Sequence, residues 1–155
     1  MEQDKFFLTK AGYGRFKQEL EQIRKTIEEK IKEDVPSPLS SELSAEYTSF
    51  QEDMAQLRSR IQELEAVLNN CELIDYDPKS HCQIVRVGCK VAIDKDGQQE
   101  ELIIVGSLEA DPRQNRISNQ SPIGRALLGK RAGDEVKIGA RIAQVYKIKK
   151  ITYGV

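Results

Sequence analysis

The side chains best suited to chemistry are a pair of carboxylates, one histidine and three thiols. Glu42 and Glu46 lie four apart, where a proline- and serine-rich stretch at residues 36–44 gives way to an apolar repeat. Carboxylates at such a point can supply hard oxygen ligands to a magnesium ion held mainly by another molecule. Acids in a helix's first turn also complement its dipole, worth about 0.3–1 kcal/mol, with no ligand involved. The residues alone leave both readings open. His81, Cys82 and Cys89 look like a fragment of a zinc site, but a structural zinc wants four ligands and the only other thiol is Cys71. The spacing fits no usual zinc pattern, so these read as surface or half-buried residues. A single histidine also weakens any Ser-His-Asp arrangement. No GxxxxGK[ST] or GxGxxG loop is present to cradle a phosphate. The basic residues Arg15, Lys17, Arg24, Lys25, Lys30 and Lys32 are interleaved with acids and read first as a solvated helix flank. Some could form a stripe facing RNA, but no aromatic platforms accompany them.

The elements that would carry these groups fall into two halves. In the first, Phe16, Leu20, Ile23, Ile27 and Ile31 form a helical stripe, and Phe50, Met54, Leu57, Ile61, Leu64 and Leu68 form an unbroken heptad seam. Thr9 is a suitable N-cap for the first helix, and Pro36 with Pro38 stops it. Two helices joined by a short connection run antiparallel, so facing positions share one index sum. Phe16 with Leu68, Leu20 with Leu64, Ile23 with Ile61 and Ile27 with Leu57 all sum to 84, and Ile31 with Met54 to 85. The pattern predicts a coiled-coil hairpin over residues 1–75, its tip at about 36–45. Residues 76–155 alternate instead. Ile84, Val85, Val87, Val91 and Ile93 lead into Asp96-Gly97, a hairpin-turn dipeptide. Leu102 to Val105 makes a further strand, and Val136, Ile138, Ile142, Val145, Ile148 and Ile151 suggest two closing strands. Between them Ser121 as N-cap, Pro122 at the first helical position and Gly129 at the stop mark one short helix. The expectation is an α+β chain: a helical hairpin, then a small sheet of four or five strands with one helix.

Composition narrows the function. The chain has 155 residues, a net charge of −1, 32% charged and 6% aromatic residues. A uniformly basic nucleic-acid binder is excluded by that sum, though not a local basic face. Residues 1–75 hold 16 acids and 10 bases, residues 76–155 hold 9 acids and 14 bases. No apolar run approaches the roughly 18 residues that cross a bilayer, and MEQDKFFLTK has no signal-peptide stretch. Three cysteines cannot all pair, which favours a reducing compartment. The expectation is a soluble, monomeric, cytoplasmic protein without a membrane partner and without a self-contained active site.

Certain segments are more specific. Residues 109–135, EADPRQNRISNQSPIGRALLGKRAGDE, closely resemble the C-terminal signature of the bacterial Gre transcript-cleavage factors. LTKAGYGRFKQELEQI at residues 8–23 resembles that family's first helix, and Ala45-Glu46-Tyr47 is similar to the start of its second. The resemblance covers essentially the whole chain in the same order. It implies an N-terminal antiparallel coiled coil and a C-terminal domain like that of FK506-binding proteins. It also implies a partner, bacterial RNA polymerase, bound through the C-terminal domain, with the coiled coil in the secondary channel near the nascent RNA 3′ end. In the family two tip acids help hold a second Mg2+ at the polymerase's own catalytic centre, so that backtracked RNA is cut. The factor is then an accessory and not itself the enzyme. By resemblance Ser121, Pro122 and Arg125 are the candidates for the polymerase contact.

The tip departs from the family pattern. Aligned without gaps back from Tyr47, Ser40 and Leu43 stand where the functional acids belong. With a deletion allowed, Glu42-Leu43-Ser44 could match the family's first acid and its two followers, which leaves the second acid either missing or replaced by Glu46. Glu42 is thus the candidate ligand to a Mg2+ shared with the polymerase, with Glu46 beside it. A non-cleaving relative that occludes the channel is the alternative. The isomerase activity suggested by the second domain's fold is disfavoured, because Tyr76, Tyr146 and Tyr153 are its only aromatics. A coiled-coil adaptor unrelated to transcription is the remaining reading.

Overall fold

A computed structural model describes residues 5–33, 45–75, 82–139 and 141–153. In chain order the elements are β1 (Phe6–Thr9), α1 (Lys10–Lys32), α2 (Ala45–Asn69), β2 (Cys71–Ile74), β3 (Cys89–Lys95), β4 (Gln98–Val105), β5 (Arg116–Ser118), α3 (Pro122–Leu127), β6 (Glu135–Ile138) and β7 (Gln144–Tyr153). The expected tip, with Pro36, Pro38, Ser40, Glu42 and Leu43, lies outside the described residues, as do His81 and Tyr76.

The helices form the expected hairpin. Leu20 and Leu64, which share the index sum of 84, are both buried, as is Met54. Ion pairs flank this seam. Arg60 Nε meets Glu19 at 2.8 Å, Arg24 Nη2 meets Glu65 at 2.7 Å, and Lys30 Nζ meets Asp53 at 2.7 Å. Their indices sum to 79, 89 and 83, bracketing the core value as flanking positions of an antiparallel pair must. Each joins an exposed side chain to a half-buried one, so each contributes about 0–1 kcal/mol and chiefly fixes register. Of the first arm's basic residues, Arg24 and Lys30 are therefore engaged within the hairpin. Ile31 is 52% exposed, so burial of the stripe ends before the last turn of α1.

Five strands form a mixed sheet in the order β5-β4-β3-β7-β6, antiparallel except for β4 with β5. Asp96 and Gly97 join β3 to β4 with φ of 51° and 86°, the two positive values a type I′ turn requires. The core gathers Val85, Cys89, Val91, Ile93, Leu102, Ile104, Leu127, Val136, Ile148 and Ile151. Ile148 and Ile151 are three apart, odd for one face of a strand. A bulge explains them: Ile93 pairs with Ile148 and Ala92 with Lys150, so Lys149 is the extra residue and both isoleucines point inward. Two expectations fail here. Ile142 is 83% exposed and precedes β7, and Val145 is 40% exposed. Residues 84–87 are no strand either; Ile84 makes only a single bridge to Arg131.

The division into contact units is not contiguous in sequence. By contacts, one unit joins residues up to Gly12 with those from Cys71 onward, and the other is Tyr13–Asn70. The cause is a parallel pair, β1 with β2, in which Phe6 faces Cys71 and Thr9 faces Ile74. Gly106, following β4, packs on this pair so closely that a Cβ there would stand 1.9 Å from the Phe7 carbonyl oxygen. Leu8 of β1 is fully buried in consequence.

Candidate functional site

The first sequence-derived site is the pair of tip acids. Glu46 is the second residue of α2, exposed, and the acid in that helix's first turn. Glu42 lies outside the described residues. Hard carboxylate oxygens suit Mg2+, but the described residues include no group of three His, Cys, Asp or Glu able to hold a metal. Glu46 by itself is one exposed carboxylate in a helix's first turn, where it complements the helix dipole.

The second is α3. Its start is built by the chain's own bonds. The Ser121 hydroxyl donates to the Ser118 carbonyl at 2.7 Å and accepts the Gly124 N–H at 3.0 Å, capping the helix while Pro122 opens its first turn. Gly124 has no room for a side chain, since a Cβ would lie 2.1 Å from the Ser118 oxygen. Asn119 N–H donates to Val105 O, fixing the turn to the end of β4. The helix stops with Leu128 N–H on Gly124 O and Gly129 at φ 78°. Ser121 thus spends its hydroxyl inside the turn. Pro122 and Arg125 are exposed.

Sequence reasoning missed Glu109. It sits within the quoted signature, and its side chain is 1% exposed. Its carboxylate accepts the Thr9 N–H at 2.7 Å and the Thr9 hydroxyl at 2.8 Å, with Arg116 Nη2 at 3.6 Å. Thr9 Oγ1 in turn accepts the Gly12 N–H at 2.9 Å, the N-cap bond expected of it. A Cβ on Gly12 would stand 2.3 Å from Glu109 Oε1. One carboxylate therefore holds the end of β1 and the first turn of α1. A signal was available: a glycine in a helix's first turn costs helix stability unless something approaches closely.

The cysteines are placed unevenly. Cys71 and Cys82 are half-buried as expected, but Cys89 is fully buried at the start of β3. That corrects the reading of Cys89 as a surface or half-buried residue: it is the first of β3's inward-facing positions. Cys82 Sγ and Cys89 Sγ are 3.0 Å apart. Burial, with the Cys82 contact, pushes the Cys89 thiol up to about 12. Burial also raises the Cys71 thiol. Among the described helices none is long and apolar enough to cross a membrane.

Comparison with known proteins gives this geometry its context. Residues 6–73 match the family model described as transcription elongation factor, N-terminal, and residues 79–153 match transcription elongation factor, GreA/GreB, C-term. Transcription elongation factor GreA of Chloroflexus aurantiacus is 44% identical over 138 residues, covering 85% of this chain and 87% of that protein. The factor of the same name from Clostridium acetobutylicum is 39% identical over 143 residues, covering 88% and 89%. A solved structure, GreA factor homolog 1 of Thermus thermophilus, aligns over 95% of this chain and 98% of that one at 25% identity, with a TM-score of 0.42. The hairpin falls within the first matched segment, the sheet and α3 within the second, and the chain belongs to the GreA/GreB family of transcription elongation factors.

Proposed function

We propose that this protein is a transcription elongation factor that binds bacterial RNA polymerase, as a monomer in the cytoplasm, and stimulates the polymerase's own cleavage of backtracked RNA. The observation that carries the reading is the 44% identity to a GreA factor across both parts of the chain. Family membership supplies the partner; the residues suggest how the work divides.

Pro122 and Arg125, displayed by a helix whose cap is satisfied internally, offer a preformed polymerase contact. A rigid helix start loses little freedom on binding, which favours affinity. The hairpin delivers acids to the secondary channel. Glu42 and Glu46 are the candidates for supplying carboxylate oxygens to a Mg2+ at the polymerase centre and for orienting the attacking water beside the RNA 3′ end. That ion, when bound, activates water and neutralises charge developing on the phosphate. This chain contributes the placement. Catalysis of this kind tolerates little misplacement, since about 1 Å can cost a hundredfold. The nuclease centre on this reading is the polymerase's, and the factor is an accessory to it.

The presence of Ser40 and Leu43 where the family places its acids favours a second reading, a factor that occupies the channel without promoting cleavage. One experiment separates the two. Cleavage is followed on a backtracked complex of the cognate polymerase with wild type, Glu42→Ala and Glu46→Ala, with binding measured in the same samples. Cleavage by wild type, abolished in Glu42→Ala with binding intact, is the expected result. Binding without cleavage, with slowed nucleotide addition, establishes the channel-occluding reading. No binding to polymerase overturns both.

A further inference from the structure

The eight residues from Cys82 to Cys89 have no part in the polymerase reading, yet they are closely built. Val85 N–H donates to Lys130 O at 2.8 Å, and Gly129 N–H donates back to Val85 O at 2.9 Å. Arg86 and Cys89 then close a turn: Cys89 N–H donates to Arg86 O at 3.0 Å, and Arg86 N–H lies 3.5 Å from Cys89 Sγ. Gly88, at φ 89°, gives the turn its left-handed step and places its N–H on Ile104 O. This path returns the chain on itself and sets the two sulfurs 3.0 Å apart, about 1 Å more than a disulfide bond of ~2.05 Å. Cys71, the third thiol, stands on β2 in the other sheet.

We propose that Cys82 and Cys89 are an oxidisable dithiol, a modification site at which a hydroperoxide converts the pair into a disulfide closing the 82–89 segment. The exposures set the order of events. Cys89 has no solvent exposure and cannot meet an oxidant, whereas Cys82 is half-buried and can. Its protonation favours the same order, because burial holds the Cys89 thiol protonated to about pH 12. The Cys82 thiolate attacks one peroxide oxygen; the O–O bond breaks, and the departing hydroxide takes up a proton to leave as water. Cys82 is then a sulfenic acid. The Cys89 sulfur attacks the Cys82 sulfur, the S–O bond breaks, and the hydroxyl leaves as a second water with the Cys89 proton. Two thiols and one hydrogen peroxide become one disulfide and two waters. A reducing thiol reverses the change.

The full chain is treated with hydrogen peroxide, quenched and unfolded in urea, and its remaining thiols are then blocked with N-ethylmaleimide. The expected product carries one label per chain, on Cys71, instead of three. Trypsin cuts after the exposed Arg86, inside the ring, and the Cys82 and Cys89 peptides stay joined until a reductant separates them. Three labels after oxidation, a Cys82 sulfinic acid without a cross-link, or bridges through Cys71 or between chains would each overturn the proposal. Cys82→Ser, a change at a half-buried position, tests the order of reaction: Cys89 must then remain reduced at the same peroxide dose. Oxidised Cys89 in that variant refutes Cys82 as the entry sulfur.

Discussion

Replacing Glu109 should loosen the chain at the start of α1 more than any exposed acid would. Its carboxylate accepts two bonds from Thr9, at 2.7 and 2.8 Å, in a site where the side chain is 1% exposed. Hydrogen bonds to a charged group contribute about 1.5–3 kcal/mol each, and a buried N–H left alone costs about 1–3 kcal/mol. Removing a buried charge recovers part of its desolvation cost, which offsets some of the loss. Glu109→Ala should therefore destabilise by about 3–4 kcal/mol. Glu109→Gln keeps one acceptor oxygen for the Thr9 N–H and the same volume, and should cost about 1–2 kcal/mol. Urea unfolding gives the totals, and amide hydrogen exchange locates them, with Thr9 and Gly12 expected to lose protection first. Gly12 supplies an internal check. Alanine there meets Glu109 Oε1 at 2.3 Å and should destabilise the wild type. In the Glu109→Ala background the clash is gone, and the same change should stabilise by up to about 1 kcal/mol through helix propensity. If Glu109→Ala unfolds within about 0.5 kcal/mol of wild type, or Gly12→Ala has the same effect in both backgrounds, the carboxylate is no anchor.

Other sites give sharper contrasts. Gly124→Ala drives a Cβ to 2.1 Å from backbone that cannot retreat, so a loss of about 2–3 kcal/mol is expected; a variant as stable as wild type by urea denaturation would refute the packing described. Ser121→Ala removes a cap and should cost about 1–2 kcal/mol. Arg125→Ala should stay within about 0.5 kcal/mol in stability while weakening polymerase binding, and unchanged affinity would remove Arg125 from the proposed contact. Cys89 imposes a pH dependence. The unfolded thiol ionises near 9.0, whereas the folded one holds its proton to about 12. The folded state then binds more protons in that window, so this stabilisation is complete below pH 9.0 and is lost as pH rises towards about 12. The slope is about 1.4 kcal/mol per pH unit at most, and Cys89→Ala should remove it; parallel curves for the two proteins would contradict the assignment.

The features legible in the sequence are those encoded locally. The hairpin register follows from a period and a constant index sum, and the buried pair Leu20 and Leu64 meets it. Asp96-Gly97 and Ser121-Pro122 specify backbone angles and a cap within four residues, and both stand as read. The failures share the opposite property. β1 is four residues, FFLT, and its partner β2 comes 65 positions later; a parallel pairing at such distance leaves no periodic trace in either strand. β5 is three residues with one apolar side chain, too short to alternate. The β7 bulge shifts inward positions by one residue, which hides Ile148 and Ile151 from a strict period of two and makes Val145 look buried when it is not.

The candidate site divides in the same way. Its capped helix was readable because Ser, Pro and Gly act through their own backbones. Glu109 was not, because a charged residue in a charged surface sequence has no local mark of burial. Only the mismatch of Gly12 with its helix pointed to it, and that mismatch is resolved by a contact 97 positions away. The consequence is functional as well as structural. The residues that hold the base of α1, Thr9, Gly12 and Glu109, lie in both matched family segments, so altering either segment alone should disturb the same joint. On the proposed reading, the placement of a carboxylate by the hairpin depends on an intact first turn of α1. Glu109→Ala should then lower cleavage even with Glu42, Glu46 and the α3 contact untouched. Undiminished cleavage by a loosened variant would separate the anchor from the activity.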